Sequence, residues 1–148
     1  MSKYFETYIL IDASPEKVFD ALTDPAKTRL YMYNCEVNCD WEVGSHMLWI
    51  GSVDEIVYGK GHLLEFESNN KLTYTVFDPN SAVEDIPENY LVTRITLEDL
   101  EDETLVKISQ GDYAKVASGE ERFKHAESGW KMVLNGLKEL VEIQNSAS

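Results

Sequence analysis

The residue types best suited to ligate a metal or supply a nucleophile are three histidines, His46, His62 and His125, and two cysteines, Cys35 and Cys39. Their spacing serves neither task. No two histidines stand at an HExxH or HxH separation, which would turn two imidazoles toward one ion. Cys35, Cys39 and His46 follow none of the usual zinc patterns. If the segment between the cysteines is extended, their Cα atoms lie about 13 Å apart. A disulfide needs roughly 7 Å or less, so the two thiols face one way without pairing. A serine-nucleophile motif of the form G-x-S-x-G is absent. Gly59-Lys60-Gly61 is too short for a phosphate loop and leads into a strand-like run, so its glycines mark a bend. What remains are polar groups set in apolar, alternating runs: His62, Tyr74 and Gln110. Inside an apolar cavity such groups either move protons or orient a bound molecule. No catalytic set is recognisable, and nothing calls for a metal or cofactor. Binding ranks ahead of catalysis.

The elements that must position these groups follow from the totals and the periodicity. The chain has 148 residues, 43% of them hydrophobic, enough for one domain with a real core. Twenty-seven acidic residues against 13 basic ones give a formal charge of -14. That field repels phosphate backbones and anionic membranes, and excludes nucleic acid and membrane surfaces as partners. No apolar run reaches the length of a membrane span, and the N-terminus lacks the pattern of a signal peptide. Unpaired cysteines agree with a cytoplasmic location.

Residues 4–12 alternate and are rich in β-branched and aromatic types, predicting a first strand with Phe5, Thr7, Ile9 and Ile11 inward. Ser14-Pro15 and Asp24-Pro25 each combine an N-cap with a proline at the first helical position. Two short helices in series follow. Strands are expected at about 33–38, 45–51, 57–68, 71–77, 90–98 and 103–111. Asn69-Asn70 and Glu101-Asp102 mark tight turns, which make the strands an antiparallel meander. Residues 78–89 read as an exposed loop. From about 119 to 144, Phe123, Ala126, Trp130, Val133, Leu134, Leu137, Leu140 and Val141 form a helical stripe about 40 Å long. The tail 145–148 is expected to fray.

One sheet with one apolar face needs a cover, and only the last helix is long enough to supply it. The fold class is therefore α+β: a curved antiparallel sheet of about seven strands, two short helices after the first, and a long C-terminal helix, all in one domain over 1–144. Alternation places His62, Leu64, Phe66, Tyr74, Thr93, Ile95, Val106, Ile108 and Gln110 on the inner face. Trp130, Val133 and Leu134 meet them from the helix. Tyr33, Cys35 and Trp49 join them if strands two and three have the matching phase. A tryptophan such as Trp130 also closes a plain core without any ligand.

Three stretches carry a resemblance to a known family. They are Ala13-Ser14-Pro15-Glu16-Lys17-Val18-Phe19-Asp20-Ala21-Leu22-Thr23-Asp24-Pro25, then Glu84-Asp85-Ile86-Pro87-Glu88-Asn89-Tyr90, and His125-Ala126-Glu127-Ser128-Gly129-Trp130 with the leucines that follow. In order and spacing the chain resembles the START-like (SRPBCC) superfamily with its helix-grip fold. Within it, the chain is similar to bacterial relatives of the activator of Hsp90 ATPase, of the Aha1 C-terminal-domain type. A lone Gly44 stands where many relatives carry paired glycines. The resemblance implies an apolar ligand, lipid-like or polyketide-like, held between sheet and helix. Its alternative implication is a protein partner, with the chain acting as a regulator of an Hsp90-type chaperone ATPase or as a stress-response factor. Either function is compatible with a monomer or with a homodimer paired through an exposed strand edge.

Overall fold

Turn residues separate the alternating runs, and each run becomes a strand in the computed structural model, which describes residues 1–147. Strand β1 (Phe5–Ile11) leads into helices α1 (Pro15–Thr23) and α2 (Pro25–Thr28). Six strands follow: β2 (Cys35–Cys39), β3 (His46–Gly51), β4 (Val57–Glu67), β5 (Lys71–Val76), β6 (Leu91–Asp99) and β7 (Thr104–Gly111). Helix α3 (Gly119–Ala147) completes the chain. Residues 145–147 thus extend the helix, and Ser148 of the expected tail lies outside the described residues.

The sheet is open and antiparallel, in the order β1-β7-β6-β5-β4-β3-β2. All of β2 to β7 pair with their sequence neighbours, β5 and β6 across the long 78–89 loop, and β1 returns to pair with β7. The alternation is clearest in β6 and β7. Leu91, Thr93, Ile95 and Leu97 of β6 are buried, as are Thr104, Val106, Ile108 and Gln110 of β7. The outer face carries charge, with Arg94 3.6 Å from Glu65. This is the α+β helix-grip arrangement.

Caps and buried hydroxyls fix the two short helices. Ser14 accepts from the Lys17 amide at 3.4 Å, and Asp24 accepts from the Ala26 amide at 2.9 Å. Thr28 ends α2 and does a further job at the free edge of β2. Its hydroxyl donates to the Cys35 carbonyl and accepts from the Val37 amide, both at 3.0 Å. Thr28 is fully buried, so valine at that position leaves two edge-strand groups without partners. A Thr28→Val variant is expected to lose about 1–3 kcal/mol of unfolding free energy in urea titration. A loss within experimental error would show that water replaces the hydroxyl.

Strand β4 departs from simple alternation. Its register against β5 shifts between Leu63 and Glu65, a bulge that inserts one extra residue. Before the bulge Gly59, Gly61 and Leu63 face inward, and after it Phe66 does. His62 and Leu64 therefore point to solvent, contrary to the phase expected for 62, 64 and 66 together. His62 instead meets His46 across β3 on the outer face, with ring centroids 4.6 Å apart. Gly61 is required here, since a Cβ would lie 1.7 Å from the Thr75 carbonyl oxygen.

The C-terminal half of α3 packs tightly. Leu134, Leu137 and Val141 are buried with Val18 and Leu22 of α1 and with Leu63, Leu72, Ile95, Val106 and Ile108 of the sheet. The N-terminal half of α3 does not close on the strands in the same way.

Candidate functional site

Between the sheet and the first half of α3 lies a cleft of about 620 Å³. Such a volume falls within the usual range for small-molecule sites. Strands supply Cys35, Trp49, Gly59, Tyr74, Val76, Leu91 and Gln110 to its walls. Helix α3 supplies Arg122, His125, Ala126, Gly129, Trp130 and Val133, and the segment after β7 supplies Tyr113. The small residues Ala126 and Gly129 hold the space open, because a helix stripe with larger side chains there would fill it. Tyr33 stands at the rim in a left-handed backbone conformation, φ 52°, with its hydroxyl over Gly129.

Gln110 organises the polar part of the wall. Its side-chain amide donates to the Thr93 hydroxyl at 2.7 Å. Its Oε1 accepts from the Tyr113 hydroxyl at 2.5 Å and from the Trp130 indole N–H at 3.1 Å. One side chain thus fixes two aromatic rings that border the cleft. Trp49 and Tyr74 form a second aromatic pair, with centroids 5.1 Å apart. Burial pushes the Tyr74 phenol well above its ordinary value, against a smaller opposing effect of the Thr93 hydroxyl. Burial likewise pushes the Tyr113 phenol up to about 12. Both phenols are therefore neutral hydrogen-bonding groups at physiological pH. The Cys35 thiol is raised by burial and then by the charge of Asp54, so it is a poor nucleophile.

The 78–89 segment is more than an exposed loop. Asp78, Ser81 and Val83 contribute to the cleft wall. Lys60 of β4 forms an ion pair with Asp85, and Tyr90 donates to the same carboxylate at 2.7 Å. Asn89 is buried and ties the loop to the segment just before α3, accepting from the Ala117 amide at 3.0 Å. Hydrogen bonds from Lys60 and then Tyr90 hold the Asp85 carboxyl below its ordinary value. A carboxylate with a lowered folded value stabilises above its unfolded value and loses that contribution as pH falls through the folded value. The difference in melting temperature between the protein and Asp85→Asn is expected to be present at neutral pH, to begin shrinking below about pH 4, and to vanish only in acid below the lowered folded value. An equal difference at both pH values would show that the charge does not hold the loop.

Of the residues nominated from the sequence, Tyr33, Trp49, Tyr74, Gln110, Trp130 and Val133 border the cleft, as does Cys35. Thr93 lies just behind the wall, fully buried under Gln110. Ile95, Val106, Ile108 and Leu134 belong to the packed core instead. Phe66 is wedged between Phe19 and Trp41, with centroids at 5.4 and 5.6 Å, away from the cleft. His62 and Leu64 are corrected to the outer face by the β4 bulge. His62, Tyr74 and Gln110 therefore do not converge as an acid–base set. Tyr113, Arg122, Ala126 and the loop residues were missed. The helical phase of Ala126 and Gly129 beside Trp130 was the available signal; the loop residues and Tyr113 had none.

Among the described residues no group of three or more His, Cys, Asp or Glu side chains is placed to hold a metal ion. No helix among them is long and apolar enough to cross a membrane.

Comparison with known proteins places this architecture. The sequence pattern of the family described as "Activator of Hsp90 ATPase homolog 1-like protein" matches residues 12–142. A solution structure of a protein from Cytophaga hutchinsonii is 34% identical, with 99% of each chain covered and a TM-score of 0.78. The Aha1 dimer from Colwellia psychrerythraea is 20% identical over 95% of this chain and 97% of that one, with a TM-score of 0.75. An HSP90 activator from Plasmodium falciparum is 17% identical over 93% and 95% of the two chains, with a TM-score of 0.68. No protein with a curated description matches significantly. A pattern that spans nearly the whole helix-grip domain, from the end of β1 into the last turns of α3, shows that the chain belongs to the Activator of Hsp90 ATPase homolog 1-like family.

Proposed function

We propose that the protein binds a small apolar molecule in the cleft between the sheet and the N-terminal half of α3. The observation that supports this reading is the cleft itself, about 620 Å³ walled by Trp49, Tyr74, Phe77, Tyr113 and Trp130 around a few convergent polar groups. Close-packed interiors leave no such space without cause, and the same helix packs tightly farther along. Burying about 250 Å² of ligand surface supplies roughly 6 kcal/mol gross, enough for micromolar affinity if ordering costs are small. The test is titration with the neutral fluorescent probe N-phenyl-1-naphthylamine, together with native mass spectrometry of the purified protein. Saturable fluorescence enhancement is expected. No enhancement at high protein concentration, and no retained small molecule, would sink the proposal.

A second reading has two supports, the family's name and the chain's likeness to a structure described as an HSP90 activator. In that reading the protein docks on a chaperone of the Hsp90 type and changes its ATPase rate. A steady-state ATPase assay with added protein tests it, and an unchanged rate would exclude it. Two unpaired thiols suit a cytoplasmic site of action for either reading. The open sheet edges β1 and β2 permit monomer or homodimer, which sedimentation distinguishes.

A further inference from the structure

We propose that the occupant of the cleft is an apolar acid, an alkyl or aromatic body bearing one carboxylate, and that Arg122 holds the carboxylate. This rests on the cleft being a ligand site and names the class of ligand.

Arg122 is the one lysine or arginine among the described residues that border the cleft. It is half-buried at the start of α3, and burial lowers its guanidinium below the ordinary value. A guanidinium offers five N–H donors. Here one weak bond is formed, from Nη1 to the Ala117 carbonyl at 3.4 Å. Arg122 forms no ion pair with any described residue, although the chain carries 27 acidic residues. Lys27, Lys60, Lys71 and Lys138, the other half-buried lysines and arginines among the described residues, all do. In so acidic a chain, a partly desolvated cation with its donor fork unmatched is the exception. A planar fork of this kind matches a carboxylate with two parallel hydrogen bonds.

The other charged group at the cleft is Asp78, which is exposed and accepts from the Asn80 amide at 2.8 Å. Its charge tempers the field of Arg122 without occupying the fork. The rest of the wall is aromatic and aliphatic, with Trp49, Tyr74 and Trp130 along its length. An amphipathic acid satisfies both parts at once.

The experiment is displacement of N-phenyl-1-naphthylamine by two matched pairs: decanoate with 1-decanol, and 2-naphthoate with 2-naphthamide. At least one acid is expected to bind about tenfold or more tightly than its neutral partner, the increment of a charge-assisted hydrogen bond. In Arg122→Gln that advantage should fall to about twofold or less, and Arg122→Lys should restore part of it. Thermal melts establish that both variants are folded. Whichever pair responds distinguishes an alkyl from an aromatic body. Equal binding of acids and neutral partners, or an acid preference that survives in Arg122→Gln, overturns the inference and leaves the cleft reading standing. Failure of the probe itself to bind overturns the cleft reading, and the inference falls with it.

Discussion

Replacing Ala126 by tryptophan is expected to abolish binding of N-phenyl-1-naphthylamine, with at least about a hundredfold loss of affinity. Ala126 faces the cleft from the middle of the helical stripe, between Arg122 and Trp130. An indole buries roughly 150–250 Å² and has nowhere to go except into the space below. The same change should not cost much stability, because it fills an opening rather than displacing packed atoms. The two readouts together are decisive. Lost binding with an unchanged or raised melting temperature identifies the cleft as the binding site. Binding that survives with the fold intact places the probe elsewhere. A variant that fails to fold is replaced by Val133→Phe, which approaches the same space from two helical turns farther along α3.

Replacing Gln110 by leucine is expected to cost about 2–4 kcal/mol of stability. The substitution keeps volume and removes every polar contact. Thr93, at 0% exposure, loses the amide that donates to its hydroxyl. The Tyr113 hydroxyl and the Trp130 indole N–H lose a shared acceptor in the same step. Each stranded buried group costs about 1–3 kcal/mol, and the cleft admits water to part of the network, which keeps the total below the sum. At roughly 2–4 °C per kcal/mol for a chain of this length, the melting temperature should fall by about 5–15 °C. Gln110→Glu keeps the acceptor for both aromatic donors and is expected to lose less. A leucine variant as stable as the parent would mean that the network positions the rings at no energetic gain. Calorimetry on the two variants separates these outcomes, and intrinsic tryptophan emission reports whether Trp130 moves.

Much of the architecture was legible in the chain, because local signals and burial agreed. The Ser14-Pro15 and Asp24-Pro25 caps start α1 and α2 where expected, and the apolar alternation of 91–97 and 104–110 sets the inner face of β6 and β7. The stripe from Phe123 to Val141 predicts α3 and its sheet-facing side. Gln110, Trp130 and Val133 follow from those phases and Tyr74 from the alternation of 72–76, and all four border the cleft; Trp49 borders it too, but the phase of its strand is ambiguous in the sequence.

Three things required the folded chain. A bulge at Leu63–Glu65 sends His62 and Leu64 outward, and no local residue signal announces it, since either phase leaves an apolar residue exposed. The 78–89 loop and Tyr113 reach the cleft through partners distant in sequence: Lys60 with Asp85, Asn89 with Ala117, and the Tyr113 amide with the Lys3 carbonyl. The space itself is a difference between two ends of one helix, tight at Leu137 and open at Ala126. Periodicity determines which face of an element turns inward, since that depends only on residues near in sequence. How far two inward faces stand apart depends on volumes contributed by every element around them, and only the assembled tertiary structure decides it.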